Sequence, residues 1–459
     1  MGTAGPVTEP KKRRRVGFSN VDTGTDSNQC INIYLVSCKE EVGASDGFCL
    51  TGVDLTNFFD EDGKIYGYQE LKINIWVSLI SFHAYPDITF KSMSDGGKGI
   101  TDLKSALQKI FAETLVESKD EFLKTFLTET HIIRSLVLNG EMLPPKSLYG
   151  QVHNSNGHLD ATNSDLEVVR MVIDSAAAGH LYSRLVPLVL LLIDGSNPID
   201  VTDPGWDLYV LVQKKNNQQE DIQRTLLGFA AVYRFYHYPD SIRLRLGQIL
   251  VLPPYQHKGY GRHLIEVLNN IAIHEVVYEL TVEEPLDYFQ HVRTCVDIQR
   301  LLKFEPIQDA VIAAVAHLKN SKLSKRTHLP RLVPPSSAVE DVRKTLKINK
   351  KQFLQCWEIL VYLGLDPVEK FMEDFVTVIS HRIRTDILGK DSGNGGKQVI
   401  EVPSDYDPEA SFVMFRSQNC EASCVPMDEN QTNQEQQLQQ LVDERIKEIK
   451  LIAQKVHRT

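Results

Sequence analysis

From Gln248 to Ile265 the chain reads Gln-Ile-Leu-Val-Leu-Pro-Pro-Tyr-Gln-His-Lys-Gly-Tyr-Gly-Arg-His-Leu-Ile. The pattern is a strand, a tight turn holding Gly259 and Gly261, and an apolar-striped helix. That arrangement makes an anion site. The first N–H groups of a helix have no intrahelical partner, and the helix dipole places partial positive charge at the same end. The glycines permit unusual φ and close approach of phosphate oxygens, and Lys258 and Arg262 add charge. The GxxxxGK[ST] spacing of a phosphate loop is missing, and Leu264 stands where a GxGxxG dinucleotide turn needs its third glycine.

The elements that must position this turn lie on both sides of it. Leu181 to Ile193 reads as a helix containing Pro187, ended by Asp194-Gly195-Ser196-Asn197-Pro198. Trp206, Leu208, Val210 and Val212 alternate as a strand, and the polar run Lys214 to Arg224 leads into Leu226 to Tyr236. The Tyr238-Pro239-Asp240 turn precedes Leu244 to Leu252, and Val276 to Val282 forms a strand beyond the helix. The order expected over 165–305 is helix, helix, three strands, helix, strand, helix.

Upstream, 28–150 reads as a mixed α/β domain. Ile31, Ile33 and Leu35 alternate, as do Leu71, Ile73, Ile75, Val77 and Leu79, and Thr101 or Asp102 can cap a helix carrying Leu103, Leu107, Ile110 and Phe111. The Asn-, Gly- and His-rich stretch 150–164 reads as a linker. Downstream, 306–384 is helical in pattern, 385–433 is polar and loop-like, and 434–459 is an amphipathic helix that docks on the body or pairs with a partner helix. The fold class expected is α+β.

The 459 residues carry 50 Lys+Arg against 60 Asp+Glu, a formal charge of −10. Five of those cations are consecutive, Lys11 to Arg15, on a polar tail (1–27) that reads as disordered. Without them 45 cations face 60 anions, or −15. Such a body does not coat DNA by charge; it suits a basic partner. The isolated basic cluster fits an importin ligand. No run of about 18 apolar residues is present, so no membrane span is expected. Seven cysteines at irregular spacing, with no apolar signal core, point to a reduced compartment. Cys420 and Cys424 form the only close pair, and no second Cys or His pair follows, so no metal site is expected.

The motif Gln256-x-x-Gly259-x-Gly261, with strands before it and a helix and strand after it, resembles the Q/R-x-x-G-x-G/A turn of the GNAT superfamily of N-acetyltransferases. The likeness narrows to the catalytic subunits of type B histone acetyltransferases. It is carried by Gly67-Tyr68-x-x-Leu71-Lys72-Ile73, Ile199 to Asp203 with Trp206, Tyr238-Pro239-Asp240, Ile249 to Gln256 and Thr281 to Pro285, and covers roughly residues 28–365 plus the final helix. It implies a central acyl-CoA N-acyltransferase fold over 165–305, an N-terminal domain that binds the histone tail, and acetyl-CoA as co-substrate without a metal. The pyrophosphate would rest on Gln256, His257, Lys258, Gly259, Tyr260, Gly261 and Arg262, and the pantetheine arm along Ile249, Leu250 and Val251.

By the same resemblance the acceptor is a lysine of newly made, free histone H4, with a second core histone as a further substrate. A β-propeller (WD-repeat) histone chaperone is the partner, and nucleus and cytoplasm are the compartments. A lysine ammonium with a pKa near ~10.4 must lose a proton before it attacks a thioester. Glu283 is expected as the base. Adjacent Glu284 would point to the opposite face of a strand, and Asp194, one methylene shorter than the Glu of some relatives, is the third candidate. Backbone N–H groups near Leu250 and Val251 would hold the oxyanion. Asp60, Glu61, Asp62, Asp200, Asp203 and Asp207 are candidate carboxylates for a basic peptide; Trp206, Tyr233, Phe235, Tyr236 and Tyr238 are candidate walls for a lysine stem. Cys295 has no histidine beside it in the pattern and reads as a structural thiol. A different amine acceptor, and a non-catalytic acetyl-CoA-binding histone carrier, are the competing functions.

Overall fold

A computed structural model describes residues 23–44, 47–59, 62–144, 165–216, 222–320, 332–388 and 427–457. The Lys11–Arg15 cluster, Asp60, Glu61, the Cys420–Cys424 pair and 389–426 lie outside them. The 150–164 stretch, expected as a linker, also lies outside the described residues.

Alternating apolar side chains become strands in the N-terminal region because one face of each is buried. Strand β1 (Ile31–Val36) pairs antiparallel with β2 (Phe48–Cys49) and parallel with β3 (Lys72–Ser78), which pairs antiparallel with β4 (Ala84–Thr89). Helix α1 (Leu103–Phe111) starts where the Asp102 carboxylate accepts the Ser105 N–H, and buries Leu103, Leu107, Ile110 and Phe111. Helices α2 (Lys119–Thr128) and α3 (Ile132–Val137) follow.

A second sheet begins with β5 (Glu141–Met142) and β6 (Leu166–Val172). A helix was the expectation at 166; three valines in seven residues and full-length pairing with the next strand favour extended chain. Helix α4 (Ala176–Leu192), capped by Ser175, continues through Pro187. Three long strands follow, β7 (Trp206–Asn216), β8 (Ile222–His237) and β9 (Ser241–Val251), all antiparallel. These five strands lie in the order β9-β8-β7-β6-β5. Helix α5 (Tyr260–His274) leaves the glycine turn.

Contacts divide the chain into Met1–Asn270 with Val282–Glu284, and Ile271–Thr281 with Pro285–Thr459. The first unit joins most of the regions expected as 28–150 and 165–305, because one apolar core runs continuously from Cys30 and Ile31 through Phe111, Tyr182 and Phe229 to Leu252.

The second unit is helical: α6 (Asp287–Leu302), α7 (Gln308–Asn320), α8 (Ser336–Leu346), α9 (Lys350–Gly364), α10 (Glu369–Leu388) and α11 (Met427–His457). Phe353, Trp357, Ile359 and Leu360 of α9 are buried with Leu438, Val442, Ile446, Ile449 and Ile452 of α11. The terminal amphipathic helix therefore docks on this unit. Glu358, also buried, receives Arg445 of α11 (2.8 Å) and Arg382 of α10 (2.6 Å).

Candidate active site

The glycine turn starts where β9 ends. The Gln256 side-chain amide donates to the Val251 carbonyl (2.9 Å), so the motif glutamine ties the turn to the strand. His257 and Gly259 both have positive φ (61° and 86°), separated by Lys258. Reversals of this kind turn successive N–H groups toward one concavity, a backbone nest for an anion. The first helical bond of α5 is His263 N–H to Gly259 O (3.0 Å), so the Tyr260 and Gly261 N–H groups stand ahead of it at the helix mouth.

The two glycines serve differently. At Gly259 a Cβ would meet nothing within 4 Å, and φ is the constraint. At Gly261 φ is ordinary and a Cβ would stand 3.7 Å from Val251 Cγ2, so its own packing tolerates a methyl; glycine there leaves the concavity open. The cations contribute less than their number implied. Arg262 is paired with Glu266 (2.8 Å), and Lys258 donates to Pro254 O (3.2 Å) while its ammonium sits 5.6 Å from the Tyr255 ring centroid. Burial pushes the Tyr255 hydroxyl pKa up, opposed by its hydrogen bond with Ser37 of the N-terminal region. Ile249 and Val251 are half-buried along β9, and Leu250 between them is buried.

The carboxylate edge is assembled from distant segments. The register of β8 and β9 slips between Ala231 and Val232, leaving Gly247 as an extra residue that bulges. A Cβ at Gly247 would stand 2.8 Å from Trp206 Cη2 and 3.5 Å from Glu283 Oε2. The Glu283 N–H donates to Leu246 O (3.0 Å). Indole, bulge and carboxylate thus meet at one point. Trp206 packs edge-to-face with Tyr233 (5.1 Å), Tyr233 lies 4.4 Å from Phe235, and the Arg245 guanidinium covers Phe235 (4.4 Å). Gly205 lets the Tyr233 ring lie against the chain, since a Cβ there would be 2.6 Å from it.

Glu283 and Glu284 do not alternate as strand residues. Of the strand expected over 276–282 only Leu280–Val282 is extended, it ends before both glutamates, and Glu284 has φ 32° ahead of Pro285. Both glutamates are exposed. Asp194 lies two residues beyond α4, is exposed, and precedes Gly195 at φ 68°.

The acidic groove candidates separate. Asp207 is 1% exposed and paired with Arg170 (2.8 Å) and Arg234 (3.2 Å), so it is cross-strand glue and not a groove carboxylate. Asp200 accepts from the Thr202 N–H and hydroxyl, which hold its pKa below the usual carboxylate value, and Asp203 accepts the Gly205 N–H (2.8 Å). Asp62 is exposed and accepts from the Tyr66 hydroxyl, which lowers its pKa. Tyr236 and Tyr238 are exposed near the β8–β9 turn.

Cys295 is buried, and its Sγ lies 3.8 Å from His291 Nε2, one helical turn earlier on α6. The expectation of no neighbouring histidine is overturned by i,i+4 geometry. Burial, then the Lys455 charge, hold the His291 pKa down. Two buried, mutually hydrogen-bonded residues, Gln248 and Tyr182, were not singled out from sequence. For Gln248 a signal was available: it is a polar residue alternating with Leu250 and Leu252, which join the core.

A strand with a bulge, a backbone nest at the following helix and a carboxylate across the bulge define an acyltransferase of the GNAT class. The model of the acetyltransferase (GNAT) family matches residues 202–290, and that described as histone acetyl transferase HAT1 N-terminus matches 23–194. A histone acetyltransferase type B catalytic subunit of Arabidopsis thaliana is 59% identical over 100% of this chain and 98% of its own length. One of Zea mays is 48% identical over 99% and 95%, and one of Dictyostelium discoideum 26% over 76% and 72%. The chain belongs to the type B histone acetyltransferase catalytic subunits.

Proposed function

We propose that this enzyme transfers acetyl from acetyl-CoA directly to lysine side chains of newly synthesised, free histone H4, with a second core histone as an additional substrate. The observation that carries the reading is the meeting of Glu283, Gly247 and Trp206, continued by Tyr233 and Phe235. An aromatic wall suits the aliphatic stem of a lysine, and a carboxylate at its end suits the ammonium.

Acetyl-CoA supplies the thioester and an activated leaving group. The nest at His257–Gly261 binds the pyrophosphate through backbone N–H groups, and Ile249 to Val251 carry the pantetheine arm. Glu283 takes a proton from the lysine ammonium, directly or through one water. The free amine attacks the carbonyl carbon, N–H groups of β9 near Leu250 and Val251 hold the oxyanion, and as the C–S bond breaks the surplus proton on the nitrogen passes to the departing thiolate, which leaves as the CoA thiol. Glu284 and Asp194 assist by orienting substrate or water. Cys295 takes no part.

The acidic body attracts the basic tail. A β-propeller (WD-repeat) chaperone would present the histone, and Lys11 to Arg15 would support entry to the nucleus from the cytoplasm. Mass-spectrometric mapping of an H4 tail peptide after incubation with enzyme and acetyl-CoA, beside spermidine at equal concentration, tests the substrate. Acetylated peptide lysines with unmodified spermidine are expected; preferred spermidine acetylation would sink the reading, and modification of neither would favour the carrier.

A further inference from the structure

Gln248 follows the bulged Gly247 directly, and its side chain faces away from the carboxylate into the core, at 5% exposure. A buried amide is costly unless its donors and acceptor are met. Here they are met by two segments. The Tyr182 hydroxyl of α4, itself fully buried, donates to Gln248 Oε1 (2.9 Å). Gln248 Nε2 donates to Ser196 Oγ (2.9 Å) and to Asn197 O (2.7 Å). The Tyr182 hydroxyl also accepts the Ile199 N–H (3.0 Å). The amide orientation is fixed, since the Asn197 carbonyl can only accept.

These four bonds fasten residues 196–199 to the strand at the bulge. That loop has Asp194 just before it and Trp206 after it, and Trp206 packs on Gly247. We propose that Gln248, supported by Tyr182, is a positioning residue for the acetyl acceptor. It holds the Asp194–Trp206 segment against the bulge, so that the Trp206 wall and the Glu283 carboxylate keep their spacing around the incoming lysine. An apolar residue would also fit the core by volume but would leave the segment held by the Tyr182–Ile199 bond alone. Gln248 never touches the reacting atoms. The inference rests on the acceptor site proposed above.

The test uses the full chain with Tyr182→Phe, which keeps the buried ring and removes only the hydroxyl, and Gln248→Leu, which removes all of the tether except the Tyr182–Ile199 bond. Steady-state rates with an H4 tail peptide are measured beside acetyl-CoA affinity by calorimetry and amide hydrogen exchange over 194–206. The expected result is faster exchange confined to 194–206, a fall in peptide kcat/KM of about tenfold for Tyr182→Phe and more for Gln248→Leu, and acetyl-CoA affinity within about twofold of wild type. Peptide kcat/KM unchanged in Tyr182→Phe despite faster exchange overturns the proposal. So does a parallel loss of acetyl-CoA affinity, which marks general destabilisation. If Gln248→Leu does not fold, Tyr182→Phe decides. If the wild-type enzyme leaves the H4 peptide unmodified, the substrate reading falls, and the same parameters measured with whichever amine it acetylates still judge the tether.

Discussion

The glycine turn and the carboxylate edge, the two halves of the proposed site, are built in opposite ways. The turn is one contiguous stretch, Val251 to Arg262, whose chemistry lies in its backbone: two positive φ values, a helix mouth and a glutamine that caps the strand it leaves. The edge is drawn from Trp206, Tyr233, Gly247 and Glu283, brought together by strand pairing and a bulge. A local device survives most substitutions except those that change φ or fill the concavity. A device assembled from distant segments depends on each side chain and on what tethers it.

That contrast orders the expected effects of change. Glu283→Gln keeps shape and removes the proposed base, so kcat with H4 peptide should fall about 100-fold or more while the dissociation constant for acetyl-CoA, read by calorimetry, stays constant. Trp206→Ala opens the wall at the bulge. Peptide kcat/KM should fall about 100-fold, with the KM for acetyl-CoA unchanged, in two-substrate kinetics. In the turn the response should invert. Gly261→Ala should raise the KM for acetyl-CoA about tenfold with no loss of melting temperature, since a methyl fits the protein itself. Gly259→Ala should also cost roughly 1 kcal/mol of stability in denaturant unfolding, because alanine resists φ near 86°. A Gly261→Ala enzyme with normal acetyl-CoA kinetics would show that the concavity at the turn does not receive the phosphates.

The smallest effect concerns the helix that delivers Asp194. Arg184 of α4 donates to Ser81 O (2.7 Å) and to Glu129, whose other oxygen lies 3.7 Å from His83. Burial lowers the His83 pKa, with Arg184 and His180 adding to the shift and Glu129 and Glu121 opposing it. The folded protein therefore prefers neutral His83. The associated stability is complete above the ordinary value of about 6.5 and is lost as pH falls through it toward the lower folded value. Between pH 7 and 5.5 the wild-type melting temperature should drop by more than that of His83→Gln.

What could be read from the sequence follows the same division. The turn, the strands at 31–36 and 72–78, and the Asp102-capped helix were legible because spacing and capping are local signals; that the two strands pair in parallel was not. The docking of the last helix follows from its apolar stripe once α9 supplies a buried partner. The bulge at Gly247 was not legible: it arises from the pairing of β8 with β9, and no local pattern marks it. Asp207 looked available as a groove carboxylate, yet Arg170 and Arg234 from neighbouring strands claim it. Residues 166–172 form a strand because β7 pairs with them over their whole length.

Direct transfer to lysine with Glu283 as the base is the proposed reaction. A single-turnover experiment with labelled acetyl-CoA bound to excess wild-type or Glu283→Gln enzyme, quenched before and after addition of H4 tail peptide, tests it most directly. Direct transfer predicts no label on the protein before peptide is added, rapid label on peptide lysines with the wild type, and bound but untransferred acetyl-CoA with Glu283→Gln. Label on Cys295 before peptide addition, or wild-type transfer rates from Glu283→Gln, would contradict it.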